Sequence, residues 1–150
     1  MRKLVLEKLY EWSLMPYQSF KKNEAWNLTI DDLCNYPKES LGQHMGLFLH
    51  KNNFDLQGKL ESHDVFHVLT NTGITVPEEI SMQFYLLGNG KRSIYLLSVI
   101  FLGALLFPDY LKLFRSKYRE GKAALAFHQL DFIKLLSLPI QRIKNTFLIH

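Results

Sequence analysis

The sequence predicts an all-α fold: a single compact domain, residues 1–150, of about seven or eight helices. Helix start and stop signals recur along the chain, and no segment shows the alternation of apolar and polar residues that marks a strand. The 150 residues are enough to build one hydrophobic core. A composition of 47% hydrophobic and 21% charged residues is typical of a globular protein and excludes a disordered chain.

The N-terminal part is predicted to be a helical extension over residues 1–35. Its first segment, MRKLVLEKLYEW, is typical of an amphipathic helix, and charged residues break its apolar run, so it makes a poor signal peptide. Thr29 and Asp32 indicate a capping box before a short helix. Ser40 caps the next helix, which belongs to the motif region, residues 36–150. The inward residues of the first helix are Leu4, Leu6, Leu9 and Tyr10.

The middle of the chain predicts a helical hairpin. One helix begins near Lys59, carries HDVFHVL and ends in the NTG turn at residues 71–73, where Gly73 takes the left-handed conformation. The next helix begins with Thr75 as its N-cap and Glu78 at the capping-box position, and it ends at the following GNG. Because the connection is short, we expect the two helices to pack antiparallel.

The C-terminal third contains the most apolar segment, residues 94–107. These 14 residues fall short of the roughly 20 that span a bilayer, so we expect a buried core helix, with contact to lipid acyl chains as the alternative. A basic amphipathic helix over residues 109–120 follows. A further helix is predicted over about residues 122–137, and Pro139 begins the last one.

The chain is basic, with a formal net charge of +4 and a pI of about 9.1. Such a charge suits either nucleic acid or an anionic membrane surface. No nucleic-acid-binding module is recognised, so no nucleic-acid partner is expected. Cys34 is the single cysteine, which excludes an intrachain disulfide and fits a reducing compartment. The basic helix is interpreted either as a membrane-docking surface or as a solvated face; its cations are Lys112, Arg115, Lys117 and Arg119.

Four residues indicate a divalent-metal site: His63, Asp64, His67 and Glu79. At about 100° per residue, His67 lies about 40° and Asp64 about 100° from His63 around the helix. The hairpin places Glu79 opposite them, because His67 lies six residues before Gly73 and Glu79 six residues after it. Two imidazoles and two carboxylates suit Zn²⁺, Fe²⁺ or Mn²⁺ better than Ca²⁺. The alternative is a pair of core histidines with a helix-cap glutamate.

The pattern HDxxH, eleven residues, Glu resembles the signature of the ubiquinone (coenzyme Q) biosynthesis protein 4 family, and the match falls on the same four residues. PKESLG at residues 37–42 resembles the family's Pro-x-x-Ser-Leu-Gly segment, and ESHDVFHVLTNTG resembles its motif helix. PIQRIK near the C-terminus resembles the family's ending more loosely. The stretch before His63, LQGKLES, lacks the family's Arg-rich run, as in a divergent bacterial member.

The resemblance implies that His63, Asp64, His67 and Glu79 bind a divalent metal ion: zinc first, with iron, manganese or magnesium as alternatives. It implies a role in ubiquinone biosynthesis on lipids that carry a polyprenyl tail. As an enzyme, the protein would promote oxidative decarboxylation of a prenylated hydroxybenzoate, replacing the ring carboxylate with hydroxyl. As a non-catalytic scaffold with a structural metal, it would present a quinone-type lipid and organise other quinone-biosynthesis enzymes. For both functions we expect a cytoplasmic protein that is peripherally attached to the bacterial inner membrane. Assembly into a homo-oligomer is one of the alternatives for its quaternary structure.

Overall fold

The structure, a computed structural model, describes residues 24–150. This part of the chain contains seven α-helices, two 3₁₀-helices and no β-strand, which confirms the all-α prediction. The helix predicted at the start of the sequence lies outside the described residues. The α-helices are α1 Ile30–Cys34, α2 Leu41–Asn52, α3 Glu61–Thr70, α4 Val76–Gly88, α5 Ile94–Leu106, α6 Leu111–Ala123 and α7 Ile140–Phe147; the 3₁₀-helices are Pro108–Tyr110 and Phe132–Leu135.

The predicted helix starts are confirmed where a side chain caps the first turn. Ser40 Oγ accepts a hydrogen bond from the Gln43 amide at 3.2 Å and begins α2. Thr75 and Glu78 form the capping box of α4, in which the Glu78 carboxylate accepts from the Thr75 amide at 3.0 Å. A corresponding box opens α1. Each cap satisfies an amide that has no partner inside its own helix, which fixes where the helix begins.

The turn between α3 and α4 differs from the prediction at one residue. Asn71, with a φ of 50°, takes the left-handed conformation that ends α3, and Gly73 does not. Asparagine tolerates this conformation better than most residues, because its short polar side chain can bond locally. Lys144 Nζ donates to the Asn71 side-chain oxygen at 2.9 Å, which ties the turn to α7. The hairpin itself is as predicted.

Helix α4 lies at the centre of the fold and contacts α3, α5 and α6. It approaches α6 most closely at two glycines. A Cβ on Gly88 would collide with the Tyr118 carbonyl, and a Cβ on Gly121 would collide with the Tyr85 carbonyl. The backbones of α4 and α6 therefore touch at both places, which requires residues without side chains. This packing holds α4, and with it Glu79, in a fixed position.

The prediction of a helix over residues 122–137 is wrong. Helix α6 continues through Gly121 to Ala123, and the chain then becomes irregular before the second 3₁₀-helix. The buried side chain of Asn89 explains the difference, because its Oδ1 accepts from the Phe127 amide at 3.0 Å and its Nδ2 donates to the Leu125 carbonyl at 2.9 Å. A distant side chain thus replaces the bonds that a local helix would have made.

The expectation that residues 94–107 form a buried core helix is also wrong. Only Leu96 and Gly103 of α5 are buried, and most of its other apolar side chains are partly or largely exposed. The helix packs against α4 along one narrow line, where a Cβ on Gly103 would lie 2.5 Å from Ile80 Cγ2. A helix with apolar residues on every side can bury only the side that meets a neighbour.

Candidate metal centre

Helix α3 presents His63 and His67 on the same face, because residues four apart lie one turn above each other. Their ring centroids are 4.8 Å apart with an angle of 74° between the planes. His67 is buried, with 3% of the residue exposed. The His63 side chain is 21% exposed and lies nearer the surface. One imidazole is therefore enclosed by the core, while the other is partly exposed to solvent.

Glu79 reaches this pair from the first turn of α4, as the hairpin prediction required. Its Oε1 lies 2.9 Å from His67 Nε2, and its Oε2 lies 3.2 Å from His63 Nε2. One carboxylate thus faces both imidazoles through equivalent nitrogens. The three residues can each offer one ligand atom so that all three atoms lie within 4.8 Å of one another. Among residues 24–150, this is the single such group of three histidine, cysteine or acidic side chains.

The orientation of His67 is fixed by the turn that follows α3. His67 Nδ1 lies 3.1 Å from the carbonyl oxygen of Thr72, and because a carbonyl can only accept, Nδ1 carries the hydrogen. The ring of Phe48 stacks on the imidazole, with centroids 5.3 Å apart and planes 19° from parallel. In neutral His67, Nε2 therefore carries a lone pair, which points at the Glu79 carboxylate oxygen Oε1. That arrangement is repulsive unless a proton or a metal cation lies between the two atoms.

Asp64 occupies a different place from the other three predicted ligands. Its Oδ1 lies 3.8 Å from His63 Nδ1, the nitrogen that faces away from Glu79. The structure therefore brings together His63, His67 and Glu79 and places Asp64 behind His63. A carboxylate at this position orients a metal-binding imidazole and increases its basicity. Direct ligation by Asp64 stays a prediction.

The electrostatics of the cluster favour positive charge between the rings and the carboxylate. Burial alone lowers the pKa of His63, but hydrogen bonding and attraction to Asp64 and Glu79 outweigh it and raise the pKa to about 9. Burial alone raises the pKa of Glu79, yet its close contacts with the imidazoles of His63 and His67 lower it to about 2. The buried Glu79 Oε2 nevertheless accepts no hydrogen bond of ordinary geometry. An unsatisfied carboxylate oxygen opposite the His63 imidazole, beside a second imidazole on the other oxygen, fits a divalent metal ion.

The groups that hold His67 were missed by sequence analysis. The Thr72 carbonyl belongs to the backbone, which leaves no mark on the residue types. Phe48 lies on α2, and its contact with His67 depends on how α2 and α3 align, which no local pattern specifies. His44, on α2, lies with its Nε2 3.4 Å from Glu39 Oε2.

Comparison with known proteins gives one informative result. No family model matches the chain, and no curated protein matches it. A crystal structure of a candidate ubiquinone biosynthesis protein from Nostoc punctiforme PCC 73102, at 2.85 Å resolution, superimposes with a TM-score of 0.69. The two sequences are 16% identical, and the match covers 83% of this chain and 70% of that one. The similarity establishes a shared fold.

Proposed function

We propose that this chain is a metal-binding protein of ubiquinone or related isoprenoid-quinone biosynthesis. In this proposal it binds a polyprenylated hydroxybenzoate and promotes its oxidative decarboxylation. The observation that carries the metal site is the convergence of His63, His67 and Glu79, with ligand atoms within 4.8 Å of one another. The quinone pathway is supported by the fold shared with the Nostoc protein and by the HDxxH-Glu pattern.

The residues suit zinc, the metal that the sequence resemblance implies first. Two histidines and one glutamate form a known type of catalytic zinc site, and the same combination binds non-haem Fe²⁺. Manganese and magnesium fit less well, because both prefer oxygen ligands. A bound metal ion would supply a Lewis acid that polarises the substrate carboxylate or phenol oxygen. Three protein ligands, with Asp64 behind His63, leave a coordination position for substrate, which supports a catalytic site over a closed structural one.

A surface groove next to the cluster supports binding of an aromatic acid. It has a volume of about 440 Å³ and is bordered by His67, by the apolar side chains of Leu47, Phe48 and Ile74, and by Lys51. In the proposal, the apolar side chains contact the ring and the start of the tail. The Lys51 ammonium attracts the carboxylate, a role that the arginines before the motif would otherwise fill.

The proposed reaction needs an oxidant. The ring–carboxyl bond breaks and carbon dioxide leaves, while an oxygen atom from water becomes the new ring hydroxyl. Two electrons and two protons then pass to an acceptor, and dioxygen fits because it would become hydrogen peroxide. In this scheme the chain's own residues orient the acid: Thr72 holds the His67 ring, and Glu79 holds both imidazoles.

The second candidate function is a non-catalytic scaffold. A metal held between α3 and α4 would then pin the hairpin, and the domain would present a quinone-type lipid to other quinone-biosynthesis enzymes, alone or as a homo-oligomer. The burial of His67 at 3% exposure favours this alternative, because a deeply enclosed ligand suits a structural metal. In either case we propose a cytoplasmic protein that works at the surface of the bacterial inner membrane.

Measurement of the metal content of the purified protein tests the metal site on which both proposed functions depend. We expect about one equivalent of metal per chain in the purified protein, and its loss in His67→Gln and Glu79→Gln. His50→Gln and Glu39→Gln are matched controls, since both residues are exposed and lie outside the cluster. Equal metal content in all four variants would refute the site. Incubation of the metal-loaded protein with a prenylated hydroxybenzoate and dioxygen then separates the functions: release of carbon dioxide with a hydroxylated ring supports the enzyme, and binding without turnover supports the scaffold.

A further inference from the structure

Helix α5 exposes an apolar face that no other part of residues 24–150 covers. Ile94 is 87% exposed, Phe101 70% and Leu105 66%, and Leu97 and Leu102 lie beside them. Counted at about 100° per residue, these five side chains fall within roughly 140° of the helix circumference and form one stripe. Large apolar side chains that are exposed singly need no explanation, but a continuous patch of this kind marks an interaction surface. We call these five residues the α5 face.

The α5 face offers no unsatisfied polar group to a covering partner. Helix α5 contains no charged residue. Its one exposed serine, Ser98, donates its hydroxyl hydrogen to the Ile94 carbonyl at 2.9 Å. Ser93 accepts from the Leu96 amide at 3.1 Å and satisfies the first turn. Because the five side chains of the face are apolar and Ser98 beside them bonds within the helix, entry into hydrocarbon would leave none of these side chains with an unmade hydrogen bond.

Basic side chains flank the α5 face on both sides along the chain. Lys91 and Arg92 precede it, and α6 follows with four exposed cations. Residues 91–123 carry seven lysines and arginines against two acidic residues, a balance of +5, which exceeds the +4 of the whole chain. The segment that contains α5 therefore carries a large excess of positive charge. The four exposed cations of α6 are Lys112, Arg115, Arg119 and Lys122.

The length of α5 fits a helix that lies in the membrane interface. Thirteen residues at about 1.5 Å each give roughly 20 Å, less than the 30 Å of a bilayer core. Within residues 24–150 no single helix has the length and apolar composition to cross a membrane. Helix α5 with the following Pro108–Ala123 passes that test only as a pair, and the pair is bent by 104°. An apolar face with adjacent cations is typical of interfacial helices.

We propose that the α5 face docks on a bilayer that contains anionic phospholipid, with the helix parallel to the surface. Charge distinguishes this occupant from a second copy of the chain. A symmetric pair of α5 faces would bring together the two positively charged segments 91–123, one from each copy, and these segments would repel each other. Anionic headgroups instead attract and neutralise the cations of these segments. The docking surface does not depend on the metal chemistry proposed above.

Vesicle co-sedimentation of the full chain tests this surface. We expect binding to vesicles of phosphatidylglycerol mixed with phosphatidylcholine, and weaker binding to phosphatidylcholine alone. The double variant Phe101→Ser/Leu105→Ser should reduce the partition coefficient about a hundredfold, since each buried side chain is worth about a factor of ten. Leu125→Ser/Leu148→Ser is the matched control, because these leucines are 53% and 47% exposed elsewhere on the surface. Its partition coefficient should equal that of the wild type.

A second variant locates the contact even if the double variant folds poorly. Phe101→Trp should show a blue-shifted emission on vesicle binding and quenching by lipids brominated in the acyl chain. The proposal is overturned if the wild type does not bind anionic vesicles, if both double variants bind as the wild type does, or if the tryptophan emission is unchanged. It is also overturned if sedimentation velocity shows a dimer that Phe101→Ser/Leu105→Ser converts to monomer without any vesicle binding. Metal content should be the same in every variant, which separates this surface from the proposed chemistry.

Discussion

Replacing Glu79 with glutamine removes one charge from the cluster and keeps the shape of the side chain. In the metal-free protein, contact with Glu79 and Asp64 raises the pKa of His63 from 6.5 to about 9. One pKa unit corresponds to about 1.4 kcal/mol, so the attraction contributes about 3 kcal/mol to folding. The lowered pKa of Glu79 reports the same attraction from the other partner, and the energy is counted once. We therefore expect Glu79→Gln to lower the free energy of unfolding by up to about 3 kcal/mol.

The loss should depend on pH in a direction that the pKa shifts define. The folded-state pKa of His63 is raised, so its contribution is complete below pH 6.5 and disappears as the pH rises through about 9. The folded-state pKa of Glu79 is lowered from 4.5 to about 2, so its contribution is complete above pH 4.5 and disappears as the pH falls through about 2. The difference between wild type and Glu79→Gln should be largest between pH 4.5 and 6.5. It should shrink towards zero by about pH 10.

Urea denaturation with a chelator present, repeated from about pH 5 to pH 10, measures this difference. Glu39→Gln serves as the control, because Glu39 also faces a histidine but on the exposed surface, where the pair should contribute under about 1 kcal/mol. Addition of zinc at about a hundred times its dissociation constant should then stabilise the wild type by about 2.7 kcal/mol and the variant by less. A stability loss that is the same at pH 5.5 and pH 10, or equal stabilisation by zinc, would refute the reasoning.

Three further predictions concern the affinity of the candidate metal centre and the packing of α4 against α6. Metal binding displaces a proton from His63, so the apparent affinity, measured against a chromophoric chelator, should rise about tenfold per pH unit up to about pH 9. Asp64→Asn should weaken metal binding about tenfold in the same competition assay, as loss of a group that orients a ligand does, and unchanged affinity would exclude any role for Asp64 in the site. Gly121→Ala should destabilise the fold by about 1–3 kcal/mol in urea, because its Cβ meets the Tyr85 carbonyl, whereas Ser116→Ala on the exposed side of α6 should cost under about 0.5 kcal/mol.

The parts of the structure that the sequence predicted are those specified by neighbouring residues. The caps at Ser40 and at Thr75 with Glu78 act within three residues, so the residue types alone reveal them. The convergence of His67 and Glu79 also follows from local rules, since one turn and two helical periods determine it. The all-α fold and the three-residue cluster were therefore predictable.

The errors lie where distant groups decide the local structure. The chain after α6 is irregular because Asn89, more than thirty residues earlier, bonds its backbone. The exposure of α5 depends on which neighbours are present, and composition alone cannot distinguish a helix surrounded by protein from one that contacts protein along a single line. The position of the Asp64 side chain was likewise not determined by the local sequence. Helical angle put it near His63 but could not determine which nitrogen it faces.

The position of α5 connects the proposed docking surface with the candidate metal centre. Gly103 lets α5 approach Ile80, the residue that follows Glu79 on α4. Packed helices lie about 8–10 Å apart, so a bilayer on the outer side of α5 would lie little more than one helix diameter from the helix that carries Glu79. In the function proposed above, the polyprenyl tail of the substrate would then stay in the hydrocarbon while its ring reaches the candidate site. Transfer of such a tail into water would cost about 0.8 kcal/mol per methylene, which makes a site beside the membrane far more accessible than one in solution.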